Sequence, residues 1–313
     1  MAVDLGGIKM RNPINTASGT FGFGWQFENL MNVSSLGAIT CKGCAAEAWL
    51  GNPAPRMAEV TSGMLNSVGL ANPGIIAFVE ENGEYLRSLR ERGVAVICQV
   101  VGHSIDECVR ASELYGELAP FASGLELNIS CPNVSRGGAA MGATPQAASE
   151  VMRAVRPHVK LPIVVKMAPH DVGEIARALE AEGADALSLI NTIPAMAIDV
   201  RTRRSRLSRP TAGLSGPAIH PIAVRMVWEA ARAVTIPICG IGGVTDGESA
   251  AELILAGATA VSVGTANLYD PAASERVLGE LVAWAEGQGV SDINELIGAF
   301  ADQIGRASCR ERV

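Results

Sequence analysis

Asp171-Val-Gly-Glu-Ile-Ala-Arg-Ala-Leu-Glu-Ala-Glu-Gly-Ala-Asp-Ala-Leu-Ser-Leu-Ile-Asn191 decides the fold, because it holds a complete helix, a stop and a strand. Asp171 and Glu174 stand three apart, the spacing of a helix N-cap and its box partner. Ile175 and Leu179 follow on one helical face, and Gly183 ends the helix. Ala186 to Asn191 is then an apolar run of strand length that closes on an amide. The pattern recurs downstream. Thr245-Asp-Gly-Glu248 opens a second such helix, with Leu253 inside it and Gly257 at its end, and the joint Ala256-Gly-Ala-Thr259 nearly copies Glu182-Gly-Ala-Asp185.

Working outward from this unit, eight short apolar runs end in Gly, Ser, Asn, Val, Lys or Met. They are Ile14 to Ser18, Ala38 to Lys42, Val94 to Val100, Leu125 to Ser130, Ile163 to Met167, Ala186 to Asn191, Ile236 to Gly240 and Ala260 to Gly264. Helical patterns separate most of them, and no charge-rich linker divides the chain. Repeated strand–helix units with eight strands predict a single (β/α)8 TIM barrel, with a doubly wound open sheet as the alternative. Two connections are long, one after the second strand (Gly43 to about Pro73) and one after the sixth (Thr192 to about Pro217). Loops of that length at the C-terminal ends of barrel strands usually cover a site. The second carries five arginines between Arg201 and Arg209, which suits a solvated or partner-facing loop in an acidic chain.

The composition agrees. Of 313 residues, 48% are hydrophobic and only 4% aromatic, as expected of buried parallel strands covered by helices. The net charge of −7 argues against nucleic-acid or membrane-surface binding. No apolar run approaches the ~18 residues of a membrane span, and Met1-Ala2-Val3-Asp4 begins no signal peptide. Seven cysteines without framework spacing read as free thiols in a reducing cytoplasm. Cys41-Lys42-Gly43-Cys44 lacks a second pair to complete a metal site, so no metal is expected. Residues 1–303 are read as one domain. Ile304 to Val313 has no apolar period, is similar to the translation of a sequencing-library adapter, and is set aside as a non-native tail.

Chemistry concentrates at the strand ends. In Leu127-Asn128-Ile129-Ser130-Cys131-Pro132-Asn133 a strand ends by presenting Asn, Ser and Cys together, and Pro132 blocks its continuation. Cys131 is either a small buried hydrophobe or a catalytic thiol at the place where barrels put chemistry. Gly240-Ile-Gly-Gly243 and Val263-Gly-Thr-Ala266 end the last two strands; glycines there serve tight turning or let backbone amides grip a phosphate. Lys42 and Lys166 each close an apolar run, where a lysine needs a partner, and an anionic ligand is a natural one. Asn66-Ser-Val-Gly-Leu70, Asn128, Asn133, Asn191 and Thr192 form an amide-rich set that suits a ligand with adjacent carbonyl and N–H groups, such as a pyrimidine.

Together these motifs resemble dihydroorotate dehydrogenase of class 1. The matching stretches are Thr16-Ala-Ser-Gly-Thr-Phe-Gly22, Asn66 to Leu70, Asn128 to Asn133, Asn191-Thr192, Gly213-Leu-Ser-Gly-Pro-Ala218, Ile241-Gly-Gly243 and Val263-Gly-Thr265, collinear over nearly all of residues 1–300. Arg136-Gly-Gly138 and Ile198-Asp-Val-Arg-Thr-Arg203 resemble subtype 1B, the NAD-linked catalytic subunit. The resemblance implies oxidation of dihydroorotate to orotate in pyrimidine synthesis, with FMN held by Ser18, Lys42, Gly43, Gln99, Asn128, Lys166, Ile190, Gly216, Gly242, Gly243, Gly264 and Thr265. Substrate would meet Lys42, Asn66, Ser67, Val68, Gly69, Leu70, Asn128, Asn191 and Thr192, with Cys131 as the catalytic base. It further implies a homodimeric core and a partner subunit carrying FAD and a 2Fe–2S cluster. A dihydropyrimidine dehydrogenase-type subunit, a class 1A fumarate-linked enzyme, a flavin-free phosphate-binding barrel and a non-catalytic scaffold are the alternatives. Four positions depart from the family: Gln99 stands for an Asn, Pro194-Ala195 for a Leu/Ile-Gly segment, Ala212 for a Gly and His220 for a Lys. The proline leaves the shape of the sixth-strand loop open.

Overall fold

The structure, a computed structural model, describes residues 1–130 and 141–301. Eight parallel strands form one sheet: β1 (Ile14–Thr16), β2 (Ala38–Thr40), β3 (Ala95–Val100), β4 (Gly124–Asn128), β5 (Ile163–Lys166), β6 (Ala186–Leu189), β7 (Ile238–Ile241) and β8 (Ala260–Val263). Their order is β1-β8-β7-β6-β5-β4-β3-β2, so each strand lies beside its neighbour in sequence. The ring closes between β1 and β2 through looser bonds. Gly37 N donates to the Ile14 carbonyl at 3.0 Å, and Asn15 Nδ2 to Thr40 Oγ1 at 2.8 Å. This is the expected barrel.

Burial explains why these runs are strands. All six residues of β3 and all five of β4 are buried, as strands covered on both faces must be. At the N-terminal end of the barrel, Val3–Leu5 pairs antiparallel with Ile8–Met10 across a Gly6-Gly7 turn. Both glycines have positive φ, 61° and 95°, which a two-residue hairpin of matching twist requires. The hairpin seats Leu5 and Ile8 in the core. A Cβ on Gly6 would meet the Asp185 carbonyl at 2.2 Å, just before β6, so the plug fits against the strand starts.

The helical starts correct the sequence reading in two places. The helix Val172–Ala181 does begin after Asp171, but Asp171 sits in left-handed backbone (φ 44°) and its side chain makes no cap bond. That backbone turns the carboxylate away from the first-turn amides, toward His170 at 3.7 Å. The helix Gly247–Ala256 has a reciprocal box, made one residue later than expected: Asp246 accepts from Ser249 N at 2.8 Å, and Ser249 Oγ from Asp246 N at 3.1 Å.

The two long connections join each other. Met57–Val60 and Gly63–Asn66 from the first, with Ile193–Ala195 and Ala212–Ser215 from the second, make a four-stranded antiparallel sheet. Pro194 lies on its edge strand opposite Gly213, the one location where a strand tolerates a missing N–H. Gly213 itself leaves room for Thr192, whose Oγ1 a Cβ would meet at 2.0 Å. The five arginines of this loop are exposed.

Candidate active site

One cleft lies at the C-terminal ends of the barrel strands, with about 1140 Å3 of empty volume including its open mouth. It brings together Ser18, Lys42, Gln99, Asn128, Lys166, Ile190, Asn191 and Thr192 from strand ends, Asn66, Val68, Gly69 and Leu70 from the first long connection, and Gly216, Gly242, Gly243, Gly264 and Thr265. Two expected residues lie outside it. Gly43 sits behind Gln99, whose Oε1 a Cβ would meet at 2.4 Å. Ser67 is fully buried, its carbonyl and hydroxyl each accepting from Asn52 Nδ2 at 3.1 Å. Cys131 and Asn133 lie outside the described residues, as do Arg136, Gly137 and Gly138.

One end of the cleft is made of backbone. Gly216, Gly242 and Gly243 have φ of 99°, 137° and 69°, which side-chain-bearing residues rarely adopt. A Cβ on Gly243 would meet His220 Cβ at 2.6 Å, so the glycines also serve packing. Among the described residues, the amides of Gly243, Gly264 and Thr265 donate to no protein acceptor. Three neighbouring orphan amides beside a short helix start, with the Thr265 hydroxyl donating to Ser215 Oγ at 2.8 Å, suit an anionic group. His220 backs this end, its Nδ1 2.7 Å from the Gly242 carbonyl and its Nε2 3.1 Å from Glu252.

The other end is made of side chains. Asn191 Nδ2 donates to Ser130 Oγ at 2.9 Å, and Ser130 Oγ donates to Asn128 Oδ1 at 3.0 Å. Asn128 Nδ2 and Ser18 Oγ both donate to Gln99 Oε1, at 3.4 and 3.0 Å. The longer side chain of Gln99 therefore keeps an amide in the row. Lys166 is only 6% exposed, and the partner that its burial demands is within the protein: Glu126 Oε1, 3.8 Å from Nζ. The sequence reading gave this lysine an anionic ligand and overlooked Glu126. The available signal was a carboxylate inside the buried run Leu125 to Ser130. Met57, Met64, Ser215, Ile219 and Leu268 also line the cleft without having been singled out. Met57, Met64 and Ser215 are placed by the sheet that covers the barrel, and Ile219 and Leu268 by short helices after it.

The five described cysteines are buried and unbridged. Burial pushes the Cys44, Cys108 and Cys239 thiols up to about 12. A hydrogen bond with Cys41, together with burial, holds Cys98 well above the ordinary thiol range. None of these four supplies a thiolate near neutrality.

Fold and cleft together define an α/β-barrel protein whose described residues form a cleft at the strand C-termini, with backbone amides at one end and amide and ammonium side chains at the other. The chain belongs to the dihydroorotate dehydrogenase family, whose model matches residues 1–284. It is 48% identical over 302 residues to the "Dihydroorotate dehydrogenase B (NAD(+)), catalytic subunit" of Geobacter metallireducens, covering 96% of this chain and 98% of that protein. The protein of the same name from Lachnoclostridium phytofermentans is 46% identical over 298 residues, with 95% and 98% covered. A crystal structure of the Eimeria tenella enzyme in complex with ferulenol superposes with a TM-score of 0.81 at 21% identity, over 95% of this chain and 88% of that one, which supports the fold.

Proposed function

We propose that this chain oxidises dihydroorotate to orotate as the FMN-bearing catalytic subunit of an NAD-linked enzyme of pyrimidine synthesis. The observation that carries the reading is that one cleft brings the backbone amides of Gly243, Gly264 and Thr265 together with Asn128, Asn191 and Lys166. FMN fits this donor set: its phosphate suits the amides of Gly243, Gly264 and Thr265, and the groups around its ring suit Ser18, Gln99, Asn128 and Lys166. When bound, FMN supplies the hydride acceptor. The protein's own residues do the rest. Lys42 and the segment Asn66 to Leu70 hold the substrate carboxylate and ring, and Asn128, Asn191 and Thr192 orient its amide edge. Cys131 takes the C5 proton while the C6 hydrogen leaves with its electron pair, and the C5=C6 double bond forms. General-base help of this kind is typically worth ~10²–10⁴-fold.

Electrons leave through a partner. Among the described residues no group of three or more cysteine, histidine or carboxylate side chains is placed to hold a metal, and the relatives are named as catalytic subunits. We assign FAD and a 2Fe–2S cluster to that partner, a homodimer of this chain to the core, and the cytoplasm as compartment. Among the described residues no helix is long and apolar enough to cross a membrane. The test is anaerobic addition of dihydroorotate to purified protein. A yellow protein with one FMN per chain should bleach. A colourless preparation that also refuses added FMN overturns the flavin reading, and bleaching by dihydrouracil instead would assign the site to a neutral pyrimidine.

A further inference from the structure

Glu126 is the one carboxylate of β4, and it lies in the barrel interior two residues before Asn128. Alternation along the strand puts both side chains on the same side, with Glu126 the deeper of the two. It is 3% exposed; Gln99 Nε2 donates to Oε1 at 2.5 Å, Ser188 Oγ donates to Oε2 at 2.9 Å, and the Lys166 ammonium lies 3.8 Å from Oε1. Gln99 faces both ways. Its Nε2 binds the carboxylate while its Oε1 accepts from Ser18 and Asn128, which line the cleft. Glu126 does not line the cleft, and its links to it run through Lys166 and Gln99.

The geometry points to Glu126 as a positioning residue that fixes the Lys166 ammonium and opposes its charge, so setting how readily the bound flavin accepts a hydride. The inference rests on the FMN reading above. A hydride adds negative charge to the ring system, and a nearby ammonium favours that state. A carboxylate beside the ammonium reduces the benefit. The same carboxylate aligns the amide of Gln99, so the cleft's hydrogen-bond row and its charge depend on one buried group.

Glu126→Gln separates charge from shape. The introduced amide keeps one acceptor for Gln99, and its nitrogen can donate to Ser188 Oγ with that hydroxyl turned. The expected result, measured by dye-coupled reductive titration of the FMN-bound protein, is a more positive potential. A tenfold shift toward reduced flavin corresponds to about 30 mV for a two-electron couple. Glu126→Asp keeps the charge and should return the potential most of the way to wild type, which a merely structural role does not predict. Ser188→Ala removes the hydroxyl dipole that partly cancels the carboxylate, and should make the potential more negative, with the equilibrium shifting about twofold toward oxidised flavin. This variant decides the matter if Glu126→Gln fails to retain flavin. Bound flavin with an unmoved potential in Glu126→Gln, or in Ser188→Ala where Glu126→Gln retains no flavin, overturns the inference and leaves the FMN reading intact. Wild-type protein that takes up no flavin overturns the FMN reading first, and is recognised before any variant is made.

Discussion

The two ends of the cleft are built from different material. At the β7 and β8 end the polar groups of the cleft are mostly backbone amides, left accessible by glycines that carry no Cβ. At the β4, β5 and β6 end they are side chains, held by a buried network that runs from Asn191 through Ser130, Asn128 and Gln99 to Glu126. The first end offers backbone donors that suit an anion, with His220 behind them. The second places the Lys166 charge among side chains whose partners must all be satisfied. Grip and chemistry are thereby separated along one cleft, and substitutions should divide the same way.

Cys131→Ala should have the largest effect. Flavin reduction by dihydroorotate, followed by stopped-flow absorbance, is expected to slow by ~10²-fold or more while FMN stays bound. Near wild-type reduction would leave the base to another group and weaken the contrast. Gly243→Ala tests the backbone end. Its φ of 69° and the 2.6 Å approach to His220 Cβ should strain the loop by about 1–3 kcal/mol. FMN affinity, read by flavin fluorescence, should fall roughly 5- to 150-fold, whereas an unchanged affinity would confine Gly243 to packing.

Lys42→Ala should weaken orotate binding by roughly tenfold, the scale of one charged hydrogen bond. Difference-spectrum titration checks it, and full orotate affinity would remove Lys42 from the substrate end. A smaller effect is expected from thiol labelling at pH 7.5. Cys44, Cys98, Cys108 and Cys239 should stay unmodified until the barrel unfolds, since raised thiols react slowly and buried ones not at all. Cys131 should label in the native protein and be protected by orotate. Deletion of residues 304–313 should change least. That segment has no periodic apolar face to bury, so melting temperature and flavin content should hold.

Much of this was legible in the chain. Each of the eight apolar runs became a barrel strand, because a strand buried on both faces must be continuously apolar and needs no information from elsewhere. Gly242, Gly243 and Gly264 were legible as well, since a strand that ends in glycine marks where backbone must be reached. Local signals failed where backbone conformation competes with them. Asp171 has the spacing of a cap, yet its left-handed φ directs the carboxylate to His170. The box before the second helix slipped by one residue, because Asp246 and Ser249 are also three apart.

The sequence by itself determined the barrel, the strand ends that line the cleft and most residues of that cleft, because each depends on a run of apolar residues and on what stops it. Only the tertiary structure decided three things. It joined the connections after β2 and β6 into one sheet, with Gly213 opposite Asn66, across 147 positions of chain. It withdrew Gly43 and Ser67 from the cleft. It also gave Lys166 a carboxylate from the neighbouring strand, at 3.8 Å. The physical reason is common to all three: which side chain faces which depends on strand register and closure of the ring, and these are set by distant segments packing together.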